Sequence, residues 1–88
     1  MAWKLLYHPR AVKQLKRLHK KDQKSVLGNL KKLAKSPEGK SLNLTPLAGT
    51  KGSFRLRVGK VRLIFEKDNK KRIIYIWRIK YRKDIYRI

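Results

Sequence analysis

The sequence contains no cysteine. That excludes a disulfide scaffold, a cysteine-based zinc ribbon and thiol catalysis, and it suits a reducing compartment. Acidic residues are nearly absent, with 5 Asp+Glu against 26 Lys+Arg. No apolar run approaches the ~18 residues of a membrane span, and the opening MAWKLLYHPR has too short an apolar stretch for a secretory signal. The expectation is a cytoplasmic protein without a membrane partner. There is no Gly-rich phosphate loop and no Walker sequence. The carboxylates (Asp22, Glu38, Glu66, Asp68, Asp84) are scattered, with no spacing that suggests a metal centre. No metal and no cofactor are therefore expected. His8 and His19 read as structural, and Ser25, Ser36, Ser41 and Ser53 have no evident base partner.

What remains is cationic. The formal net charge is +21 over 88 residues. Self-repulsion on that scale opposes compaction, so the charge is expected to be used, most simply on a polyanion. A hydrophobic content of 41% is enough for a folded domain rather than a basic tail. The length gives one domain, residues 1–88, with one modest core.

Trp3–Tyr7 reads as a strand, and Pro9 suits the first turn of a helix. Ala11, Val12, Leu15, Leu18 and His19 recur at helical spacing. A second helix, capped by Asp22 and stopped before Pro37, carries Val26, Leu27, Leu30, Leu33 and Ala34. Residues 36–53 hold three Gly and two Pro and read as a loop pinned by Leu42, Leu44 and Leu47. Period two then takes over. Phe54, Leu56 and Val58 alternate with Arg55 and Arg57, Gly59-Lys60 turns the chain, and Val61, Leu63 and Phe65 alternate with Arg62. Arg72–Ile79 is the most apolar strand and is expected centrally. The order is β-α-α-β-β-β, an α+β fold with a helical hairpin on one face of a small, mainly antiparallel sheet.

A two-residue turn at Gly59-Lys60 sets Arg57 opposite Arg62, with Arg55 further along the same face. Like charges directly opposite destabilise a sheet, unless an anion arrives between them. The run Tyr81-Arg82-Lys83-Asp84-Ile85-Tyr86 adds tyrosines and cations at the sheet edge. A tyrosine beside guanidiniums should have its pKa lowered toward that of a usable base. Arg, Lys and Tyr suffice for one reaction, attack by the 2′-OH of RNA on its own phosphate, because RNA carries the nucleophile. A non-catalytic basic RNA-binding module is the alternative from another class.

The segments HPRAVKQLKRL, NLKKLAKSP, LAGTKGSFRLRVGKVRLIF and RIKYRKDIYRI together resemble the RelE/ParE superfamily of type II toxins. The likeness is nearest to RelE-type ribosome-dependent mRNA interferases. The resemblance implies an endoribonuclease that cuts mRNA in the ribosomal A site, inhibits translation and leaves a 2′,3′-cyclic phosphate and a 5′-OH. It implies that Arg62 stabilises the transition state, that Arg82 contacts the scissile phosphate and assists the leaving group, and that Tyr86 is base or stacking platform. Arg55 and Arg57 would bind the backbone, with Tyr81 and Lys83 beside them. Tyr81 stands where many relatives carry histidine, which leaves the base role open between Tyr86 and Tyr81. The implied partners are an acidic antitoxin, rRNA and mRNA, with a toxin–antitoxin hetero-oligomer on operator DNA among the assemblies allowed. Some members of the superfamily poison DNA gyrase instead, and that branch is the other alternative.

Overall fold

A computed structural model describes residues 2–85, excepting the side chains of 84 and 85. The chain runs β1 (Lys4–Tyr7), α1 (Pro9–Arg17), α2 (Lys20–Lys35), β2 (Asn43–Pro46), β3 (Ser53–Val58), β4 (Val61–Asp68), β5 (Ile73–Tyr81) and the short α3 (Arg82–Ile85). The five strands form one sheet in the order β1-β5-β4-β3-β2, antiparallel except for the β1–β5 pair. The α+β class and the helical hairpin are as expected, and the sheet gains a strand.

That strand is β2, in the segment expected to be a loop. Leu44 packs against the core, while Asn43 and Thr45 pair with Arg57 and Arg55. The alternation is present but only four residues long, and Pro46 confines it to the sheet edge, where a missing N–H is tolerated. The apolar β5 lies inside the sheet, between β1 and β4, but β4 is the middle strand.

Pro9 occupies the first turn of α1, and His8 Nδ1 accepts a hydrogen bond from Arg10 N–H (3.0 Å). The helix ends at Arg17 because Leu18 turns extended. His19 therefore leaves the α1 stripe and becomes the N-cap of α2, without a side-chain cap bond. Asp22 sits within the first turn of α2 instead of capping it, where its charge complements the helix dipole. Leu27 is 40% exposed, off the buried stripe of Val26, Leu30, Leu33 and Ala34. These residues and Ala11 meet the inner face of the sheet, where Leu56, Val61, Leu63, Phe65, Ile74, Ile76 and Ile79 are fully buried. No helix among the described residues is long and apolar enough to cross a membrane.

The β3–β4 hairpin closes through the two residues Gly59-Lys60, with Val58 paired to Val61 and Arg57 to Arg62. Gly59 has φ +58°, a conformation that suits glycine in such a turn. In β4–β5, Ile64 pairs with Arg78 and Phe65 with Ile76, so Trp77 is one extra residue on β5. This bulge inverts the alternation of β5. Ile74 and Ile76 face the core before it, and Ile79 faces the core after it.

Candidate nucleic-acid interface

Pairing fixes what stands on the outer face of the sheet. Asn43, Arg57, Arg62 and Lys80 form one row across β2, β3, β4 and β5, and Thr45, Arg55, Ile64 and Arg78 form the next. Asn43, Thr45, Arg55, Arg57, Arg62 and Arg82 line an open concavity of about 250 Å³. Four of the residues expected from the sequence are thus brought together. Asn43 and Thr45 are additions that the loop reading missed, although Asn43-Leu44-Thr45 shows the alternation of a strand. Lys80 was also missed, because its face depends on the bulge.

Arg62 is only 6% exposed. Its Nη1 donates to the Gly59 carbonyl (2.7 Å) and the Val61 carbonyl (3.0 Å). Anchoring the guanidinium on the turn fixes its position before any ligand arrives, which is the preorganisation that electrostatic stabilisation requires. Arg55 is half-buried beside it and Arg57 is exposed. Arg82 N–H donates to the Lys60 carbonyl (2.7 Å), tying the start of α3 to the same turn. Lys83 is exposed on α3 and does not line the concavity. Tyr86 lies outside the described residues.

Tyr81 departs from expectation. It pairs with Val61, whose side chain is in the core, and its own ring packs against that core. Its hydroxyl accepts from His19 N–H (3.0 Å) and donates to the Asp22 carboxylate (2.9 Å). The His19 bond alone would favour the phenolate. Desolvation, the Asp22 hydrogen bond and the Asp22 charge oppose it and hold the pKa above the usual tyrosine value. Tyr81 therefore belongs with the helices, and the expected lowering of its pKa by guanidiniums is overturned. The cause is the bulge at Trp77, which turns residues 79 and 81 inward. Tyr75 is half-buried on the outer face, in register with Glu66.

Among the described residues no group of three His, Asp or Glu side chains converges as metal ligands would. In chemical terms the concavity suits an anion. Its forked donors match phosphate oxygens, and two neutral polar side chains form its rim.

Comparison with known proteins identifies the family of the chain. The sequence model described as the ParE toxin of type II toxin–antitoxin system, parDE, matches residues 5–86. The chain belongs to this toxin family, within the RelE/ParE superfamily. Among solved structures, RelE in the archaeal RelE–RelB complex from Pyrococcus horikoshii OT3 is 26% identical, with a TM-score of 0.82, covering 96% of this chain and 99% of that one. The Methanococcus jannaschii RelB–RelE complex (24% identity, TM-score 0.79, 92% and 94% coverage) shares the fold. So does isolated E. coli RelE (18%, TM-score 0.79, 97% and 92%). No curated protein matches the chain significantly. The protein is thus a type II toxin of the RelE/ParE group.

Proposed function

We propose that this toxin is a metal-independent endoribonuclease that cleaves mRNA in the ribosomal A site. The observation that carries the reading is the convergence of Arg55, Arg57, Arg62 and Arg82 on one concavity of the open sheet face. In the proposed step the 2′-oxygen bonds to phosphorus, the bond from phosphorus to the 5′-oxygen breaks, and a 2′,3′-cyclic phosphate and a 5′-OH result. Arg62, held by its turn carbonyls, stabilises the charge that develops on the phosphorane oxygens. Arg55 and Arg57 hold the flanking backbone. Arg82 contacts the scissile phosphate and assists departure of the 5′-oxygen, which takes up a proton as it leaves and so balances the one removed from the 2′-OH. Tyr81, facing Asp22 with a raised pKa, is the poorer base, so Tyr86 is assigned the 2′-OH proton. Lysine-rich helix faces supply sequence-independent attraction to rRNA.

The partners in this reading are the ribosome, its mRNA and an acidic antitoxin. The Pyrococcus and Methanococcus relatives are RelE proteins solved with RelB, and a charge of +21 favours an acidic chain that neutralises the site.

Mapping 5′ ends on translated mRNA after induction tests the proposal. New 5′-OH ends that require ribosomes and vanish in Arg62→Ala and Arg82→Ala are expected. Full toxicity of both variants at equal expression would overturn it. One observation favours a second reading, inhibition of gyrase: the matching family description is the ParE toxin. DNA damage on induction, without mRNA cleavage, would select that branch.

A further inference from the structure

The outer face changes character along the strands. At the turn end it is cationic, and at the other end it carries rings. Trp77, the bulged residue of β5, is 41% exposed, and it and Leu27 are the two large apolar side chains left exposed among the described residues. The Trp77 ring stacks near Tyr75, with centroids 6.3 Å apart and an interplanar angle of 27°, and His8 lies against it at 5.5 Å and 42°. Glu66 is in register with Tyr75. Between the rings and the guanidinium row lies the Ile64–Arg78 pair, two residues or ~7 Å along the strand from Arg62.

Bulges of this kind re-aim a side chain. This one sets a large ring on the outer face against two others and still leaves it 41% exposed. A single indole is too small an apolar area for a protein interface. A carboxylate at this end disfavours phosphate but can accept a hydrogen bond from an exocyclic amino group of a base. We propose that Trp77, supported by Tyr75 and His8, is a stacking platform for the nucleobase next to the phosphate held by the arginine concavity. The proposal rests on the RNA reading above and deepens it, naming single-stranded RNA with an unpaired base as the ligand. Stacking here adds affinity at one nucleotide without adding charge contacts.

The test uses the full chain and a 2′-O-methylated single-stranded hexanucleotide, which lacks the attacking hydroxyl. Binding should quench tryptophan fluorescence, and Trp77→Ala should abolish the quench, because Trp3 is half-buried away from the sheet's outer face. Trp77→Ala should weaken binding by ~5- to 150-fold, the measured range for removing one stacked base. Its dependence on salt should stay unchanged, and Trp77→Phe should restore most of the affinity. Arg57→Ala should instead reduce the salt slope by about 0.7 and keep the quench at saturation. Should Trp77→Ala fail to fold, the wild-type protein with a hexanucleotide carrying one abasic position gives the same comparison. Equal affinity for Trp77→Ala and wild type, with Arg57→Ala still weakened, would overturn the platform and leave the RNA reading standing. No binding by the wild type at low salt would overturn both. Quenching by an acidic peptide but not by the oligonucleotide would make this a protein-docking face and overturn the platform.

Discussion

Replacing Arg57 with threonine should stabilise the protein while removing one of its proposed phosphate contacts. Arg57 is exposed, sits in register with Arg62, and shares a row with Lys80 on the far side of Arg62. Directly opposed side chains start about 5 Å apart. Two unit charges ~6 Å apart repel by ~0.7 kcal/mol in a water-like dielectric and by ~3 kcal/mol at an effective value of 20. Because Arg57 is exposed, the lower figure governs. Threonine also has good strand propensity. The variant should therefore gain roughly 0.7 kcal/mol, or ~3–6 °C in Tm for a domain of this size. Thermal unfolding followed by circular dichroism over a salt series measures it. The gain should shrink as the screening length falls from ~10 Å at 0.1 M to ~3 Å at 1 M. Phosphate should raise the wild-type Tm more than chloride does at equal ionic strength, since an anion bound to the folded state stabilises it by mass action, and the effect should be smaller in the variant. A variant less stable than wild type at low salt, or a difference that ignores salt, would refute the view that this row is held under repulsion.

The cap at α1 is worth testing by His8→Ala, which removes the Nδ1 acceptor of Arg10 N–H and should cost ~0.5–2 kcal/mol in chemical denaturation. Gly39 has φ +62°, and a Cβ there would collide with the Leu44 side chain; Gly39→Ala should destabilise by ~1–3 kcal/mol, read as a lower urea midpoint. Phe65→Ala empties a fully buried position and should cost ~3–5 kcal/mol, by the same measurement. Tyr81 has its pKa raised in the fold, so its contribution is complete below the unfolded value of ~10 and is lost as pH rises through the folded value. Alkaline titration of stability should show wild type losing ground to Tyr81→Phe only above pH ~10. A Tyr81 contribution that instead grew with pH would contradict the Asp22 contact.

Most of the fold was legible because periodicity and turn chemistry agreed. The Gly59-Lys60 turn sets the register of β3 and β4, and with it the opposition of Arg57 and Arg62, from local rules alone. Pro9 and Pro37 bracket the helical hairpin for the same reason. What escaped notice depended on pairing. Asn43–Pro46 is too short to announce itself and becomes a strand only because β3 offers it an edge. The placement of Tyr81 depended on a single inserted residue, Trp77, which no alternation rule locates in advance. Ending the strand at Ile79 left Tyr81 in the cationic run beyond it, with the wrong neighbours and the wrong direction of pKa shift. The bulge thus decides two things together: it sends Tyr81 inward to Asp22 and leaves an indole on the outer face.

The two kinds of cation divide along the same line. Lysines crowd the solvent faces of α1 and α2, where mobile, hydrated ammonium groups attract phosphate over a distance without fixing its orientation. Three of the four arginines of the concavity stand on strands and Arg82 opens α3, and Arg62 is buried and anchored by main-chain carbonyls. A planar fork held in that way can select phosphate geometry, which a lysine could not do. If the proposed chemistry is right, the conservative variant separates the two roles. Arg62→Lys keeps the charge and much of the affinity for polyanions, but cannot reproduce the fork. It should bind single-stranded RNA within a few-fold of wild type and lose ~10²–10³ in cleavage rate, the usual cost of one misplaced electrostatic donor. Lys13→Ala on α1 should weaken ribosome association and reduce its salt dependence without altering the rate of cleavage in the bound state. Single-turnover cleavage on programmed ribosomes distinguishes them. If Arg62→Lys cuts as fast as wild type, charge alone serves at this position, and the anchoring by Gly59 and Val61 has no catalytic meaning.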